Sequence, residues 1–210
     1  MKGHKDVFPV RERFHVDLKF SDASEVRPMS VEPSDNTSDG LSLATPDAEE
    51  DFSSLPEYPG VWGGRDMLDM PELKHFSVRN RYEPGWNTSI QSDRISGAKL
   101  KGVHQFFMGV PGAEIVFHKD WKAVLIEVIW SAQRGHDAPE PIVRFEVYGA
   151  ERRPLLGTYQ SPLFAHYDPV QILFKAPAGG EIRVINFGDV GEGLAGFTVR
   201  HVAMYKSLSE

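Results

Sequence analysis

The chain has 210 residues, 40 % of them hydrophobic and 25 % charged, with no cysteine and a formal charge of −7. It is long enough to bury a substantial core, and its composition excludes a disulfide framework, a thiol nucleophile and a thiolate metal site. The charge is uneven: residues 21–57 hold ten acidic residues against Arg27 alone, a net −9 that leaves the rest of the chain near +2, so nucleic acid, which needs a basic stripe, is not an expected partner.

Residues 1–20 lack the roughly 7–15-residue apolar core of a signal peptide, and no apolar run approaches the roughly 20 residues that span a bilayer. The expected setting is therefore the cytoplasm, or a particle such as a virion assembled there, with no membrane insertion. Within this segment "RERFHVDLKF" alternates with period two. Phe14, Val16, Leu18 and Phe20 share one face of a strand, and Arg13, His15, Asp17 and Lys19 share the other. Nothing next to it in sequence offers a partner strand. Residues 1–20 are accordingly expected to be an extended N-terminal arm.

Residues 21–57, rich in Ser, Asp, Glu and Pro and lacking any period, have the composition of a linker that cannot offset its ordering entropy by burial. "DNTSDG" within it begins like a calcium loop but fails, because Thr37 and Pro46 stand where ligands are needed. From residue 58 to 102 the chain is aromatic and turn-rich, and Pro71 limits any helix there to a turn or two. "GWNTSIQSDR" is expected to lead from loop into a short strand.

From residue 103 the pattern is β. "VHQFFMGV", "AEIVFHKD", "KAVLIEVIW", "PIVRFEVYG", "PVQILFKAP", "EIRVINFGD" and "GFTVRHVAMYK" are strand-like runs bounded by turn residues. "KAVLIEVIW" is apolar enough to be central and covered on both faces. The expected fold is all-β, an antiparallel jelly-roll-type β-sandwich over residues 58–207 preceded by the arm and the acidic linker.

The motifs with chemical meaning are few. "GEGLAG", residues 191–196, matches G-x-G-x-x-G, but the run that follows is β-branched and alternating where a dinucleotide site needs a helix N-terminus. A glycine-rich hairpin loop is expected there. His104 and His118 fall on adjacent predicted strands near Glu114 and Asp120 and are the pair to test for a metal-dependent jelly-roll enzyme, although the H-x-D/E signature is missing. No nucleophile elbow, phosphate-binding loop or HExxH occurs, so no catalytic residue and no cofactor is assigned.

Aromatic residues beside polar ones carry more information. In "GWN", "TYQSP" and "AHYDP", all expected to be loops, flat rings stand next to hydrogen-bonding groups, the combination a sugar site uses. The candidate glycan-binding residues are Trp86, Asn87, Arg144, Tyr159, Gln160, His166, Tyr167 and Asp168. The competing reading plugs the ends of the sandwich, or a subunit interface, with the same rings.

The strand succession "AVLIEVIW", "IVRFEVYG", "ILFKAPAGGEIRVINFG" and "GFTVRHVAMY", over residues 103–207, resembles the galactose-binding-like jelly-roll sandwiches that include many carbohydrate-binding modules. The resemblance implies glycan or other ligand binding through end loops or a concave face. Taken together, the sequence favours a non-catalytic binding and assembly module. Its arm, through Phe14, Val16, Leu18 and Phe20, is expected to dock to a larger protein assembly or to another copy by strand addition, while the sandwich binds polysaccharide. A jelly-roll enzyme and a purely structural subunit are the alternatives.

Overall fold

The computed structural model describes residues 12–19, 45–52, 73–80, 89–91, 106–109, 113–130, 142–150, 155–162, 170–188 and 197–207. Among them are twelve strands and no α-helix: β1 (Glu12–Asp17), β2 (Ala48–Glu50), β3 (Phe76–Asn80), β4 (Ser89–Gln91), β5 (Phe106–Gly109), β6 (Ala113–Trp121), β7 (Ala123–Trp130), β8 (Ile142–Tyr148), β9 (Leu155–Pro162), β10 (Val170–Lys175), β11 (Ile182–Gly188) and β12 (Phe197–Tyr205). They form two sheets. The seven-stranded sheet runs β1-β10-β7-β12-β5-β4, with β2 also on β12, and the five-stranded sheet runs β3-β6-β11-β8-β9. Every pairing is antiparallel except that of β1 with β10.

The inner faces follow the period of two. Val124, Ile126 and Val128 of β7, Ile172 and Phe174 of β10, Ile115 and Phe117 of β6, Phe145 and Val147 of β8, and Ile185 and Phe187 of β11 pack into one core between the sheets. Phe145 lies at its centre, with ring centroids 5.4 Å from Phe174 and 5.2 Å from Phe187. The apolar run of β7 is covered on both faces as expected: Ala123 and Leu125 join Leu173, Ala203 and Tyr205 in a second buried cluster on the other side of the seven-stranded sheet.

The sheets are joined at a corner between β6 and β7. There the Lys122 amide donates to Tyr205 O at 2.9 Å, Ala176 N donates to Lys122 O at 2.8 Å, and Lys122 Nζ donates to Gly180 O at 3.0 Å. One residue thus ties together the ends of three strands.

Four expectations change. The acidic stretch 21–57 is not linker throughout, because Ala48–Glu50 pairs with Val202–Met204 of β12. Asp47 and Glu49 stay exposed and Glu50 is half-buried, accepting from the Phe52 amide at 2.9 Å, while Phe52 turns fully into the core, edge-on to Phe76 at 6.3 Å. Phe52 takes a left-handed φ of 60°, a strain of about 1–3 kcal/mol that burying its ring, worth about 1.5–3 kcal/mol, offsets. Second, "TYQSP" is part of β9 and not a loop; Gly157 and Pro162 mask an edge strand, where both residues are tolerated. Third, the "GEGLAG" connection is not a hairpin. The motif itself lies outside the described residues, but β11 and β12 belong to different sheets, and the element after it is a strand, not a dinucleotide-binding helix. Fourth, β5 and β6 also lie in different sheets, so the stretch expected to carry His104 and the strand of His118 are not neighbours in one ladder.

Candidate strand-docking groove and polar sheet face

β9 is an edge strand of the five-stranded sheet, and β1 is an edge strand of the seven-stranded sheet, laid along β10 and against β9. It runs parallel to β10 in the register Phe14↔Ile172, Val16↔Phe174, and Leu18 N extends the ladder by donating to Lys175 O at 2.9 Å. Its apolar face turns inward: Val16 is 3 % and Leu18 5 % exposed, and both belong to the main core. Phe14 is half-buried, its ring 6.4 Å from that of Tyr159 on β9.

Gly157 completes the groove. A Cβ there would lie 3.0 Å from Leu18 Cδ2, well inside the 3.5–4.0 Å optimum for carbon contacts. The absent side chain is the space Leu18 occupies.

The outward face of β1 has its own anchor. Arg13 Nε donates to Gln171 Oε1 at 2.8 Å, and Gln171 Nε2 donates to Glu127 Oε2 at 2.9 Å. Glu127 Oε1 pairs with the Arg200 guanidinium. These residues follow the register Arg13↔Gln171↔Glu127 across three strands. On β12 the ladder shifts between Val199 and His201, and the extra residue of this irregularity is Arg200. A bulge re-aims a side chain, and here it sets a guanidinium against a buried carboxylate. His15, also on this face, has an imidazole held below its ordinary range, first by burial, then by the charges of Lys175 and Arg13, with Asp17 opposing.

The second feature is the outer face of the five-stranded sheet. The register Arg79↔Glu114↔Asn186↔Glu146↔Thr158 makes a polar row across all five strands. Glu146 is held by three donors: Tyr148 Oη at 2.7 Å and Asn186 Nδ2 at 3.0 Å, both to Oε2, and Arg144 Nη2 at 3.3 Å to Oε1. Glu114 and Asn186 are each 2 % exposed. Asn186 Oδ1 is buried and, among the described residues, accepts no hydrogen bond, which leaves one acceptor on this face without a donor.

Of the candidate glycan residues, Arg144 stands on this face and Gln160 is its register partner on β9. Tyr159 points the other way: it is 5 % exposed and its ring, 6.3 Å from Phe145 and 6.2 Å from Phe174, is core. Trp86, Asn87, His166, Tyr167 and Asp168 lie outside the described residues, as do Phe20 and His104. His118 is placed with Nε2 3.3 Å from Ser77 Oγ and Nδ1 3.3 Å from Lys74 O. Among the described residues no three metal-ligating side chains cluster.

The sequence pattern did not single out Gly157, Gln171, Glu127 or Asn186. The polar Gln171 and Glu127 interrupting the apolar runs of β10 and β7 were the available signal. Fold and site together define a β-sandwich whose seven-stranded sheet has the N-terminal strand β1 as a parallel edge strand on β10. Comparison with known protein families, curated proteins and solved structures finds no match to this chain.

Proposed function

We propose that the chain is a non-catalytic β-sandwich module that docks by strand addition, with the arm as the inserted element and the gap between β9 and β10 as its receptor. The observation that carries this reading is the seat of Leu18 in the space left by Gly157, a contact that favours this segment over a generic amphipathic strand. Hydrogen bonds along β10 supply affinity, and alternate side chains supply specificity. The test is titration of a labelled peptide of residues 11–20 into a chain lacking residues 1–19. Saturable binding that is lost when Leu18 of the peptide becomes Asp supports the reading. Equal binding of both peptides, or none of either, refutes it.

A second reading, carbohydrate binding on the outer face of the five-stranded sheet, is favoured by Asn186 Oδ1, which accepts no hydrogen bond among the described residues, near Arg144 and Tyr148, which both reach Glu146 as Asn186 does. The charges named on this face balance, Arg79 and Arg144 against Glu114 and Glu146. A neutral, hydroxyl-rich ligand suits such a face better than a phosphate or a polyamine. A glycan array on the parent chain and on the Arg144→Ala and Asn186→Ala variants tests it. The reading requires a hit on the parent that both variants lose, and it fails if the variants keep the parent's profile.

A further inference from the structure

The groove makes three demands on its occupant: a leucine placed to enter the Gly157 space, an aromatic four residues earlier to meet Tyr159, and an arginine just before that to reach Gln171. β1 meets all three, and so does β1 of any second copy. We propose that β1 is exchangeable, and that a second copy of this chain supplies it in trans, so that the groove is the interface through which copies assemble. This rests on the strand-docking reading above and names its partner.

The physical case is that exchange loses no contact. Every hydrogen bond from β1 to β10 and every contact with β9 is made equally well whether the strand belongs to the same chain or to a neighbour. What differs is the tether. Residues 20–44, between β1 and the next described segment, number 25, and a chain of that length reaches up to about 80–90 Å when extended, ample to cross to an adjacent sandwich. Tethering makes the cis strand act at an effective concentration on the order of 1 mM. Copies crowded together in an assembly approach that value, and exchange then competes with self-docking.

The absence of cysteine makes the test clean. Leu18 Cβ lies 4.0 Å from the Cβ position of Gly157, inside the roughly 3.5–4.5 Å span of a disulfide. The double variant Leu18→Cys/Gly157→Cys, oxidised, reports whether the strand occupies the groove at all, by forming a closed monomer on a non-reducing gel. An equimolar mixture of the Leu18→Cys and Gly157→Cys chains reports exchange, because that bond joins two molecules. The expected result is a covalent heterodimer accumulating several times faster than in a mixture of Lys19→Cys with Gly157→Cys, whose cysteine sits on the exposed face.

A closed monomer from the double variant without heterodimer above the Lys19 control overturns the exchange and leaves the docking reading standing. Failure of both overturns the docking reading itself. Because Gly157→Cys crowds the native Leu18, the unmodified chain is also followed by light scattering up to about 1 mM, the effective concentration of a short tether. A mass that rises toward the dimer supports exchange, and a mass that stays monomeric overturns it.

Discussion

Filling the space at Gly157 should loosen β1 by an amount that depends on what occupies position 18. A valine side chain at 157 begins with a Cβ 3.0 Å from Leu18 Cδ2 and adds two methyls beyond it, an overpacking worth about 1–3 kcal/mol. Leu18→Ala alone removes a side chain that is 5 % exposed, at a cost of about 2–5 kcal/mol from lost burial and the cavity left behind. In the double variant Leu18→Ala/Gly157→Val the new methyls enter the vacated volume. The two costs should therefore not add, and the coupling should reach about 1 kcal/mol or more. The assay is native-state hydrogen exchange at the Leu18 amide, which bonds Lys175 O at 2.9 Å and reports the opening of β1 separately from global unfolding. Additivity within about 0.3–0.5 kcal/mol, the behaviour of sites that do not touch, would refute the placement of Leu18 against Gly157.

Three other outcomes are expected. Val16→Ala should weaken protection of β1 by about 1–2 kcal/mol, whereas Lys19→Ala, on the exposed face, should fall within about 0.5 kcal/mol; equal effects would mean the strand faces are misassigned. Glu127→Gln removes the buried carboxylate charge that pairs with the Arg200 guanidinium and should lower the stability of the whole domain by up to about 3–5 kcal/mol in denaturant unfolding, while a loss under about 1 kcal/mol would show the pair to be solvated. Acid should release β1: the docked His15 imidazole titrates below the ordinary value of 6.5, so the undocked strand binds more protons, and docking is complete above about pH 6.5 and weakens as the pH falls from there toward the lowered value. Hydrogen exchange of β1 across that window, compared with His15→Gln, checks the sign, and a parent that tightens on acidification contradicts it.

Much of the architecture was legible because alternation is a local property. The faces of β1 and β8, and the two-sided burial of β7, follow from residue period alone, since a strand buried on one face must alternate and a strand buried on both need not. The elements that escaped were those whose local signals are weak. β2 spans three residues with two carboxylates, and only the ladder to β12 and the pull of Phe52 into the core make it a strand. β9 carries Gly157 and Pro162, residues that signal a break until an edge position makes them harmless.

For the candidate site the division is similar. Sequence alone determined that the segment of β1 is an amphipathic strand with no partner next to it in sequence, and that Phe14, Val16 and Leu18 share the face that turns inward. Which edge receives it, in which direction, and against what were decided by tertiary structure. Pairing with β10 spans more than 150 residues of chain, and the Gly157 space and Tyr159 ring come from β9 while the bulge at Arg200 comes from β12. A periodicity records which side of a strand seeks burial, whereas the surface that answers it is assembled from residues that no local pattern links.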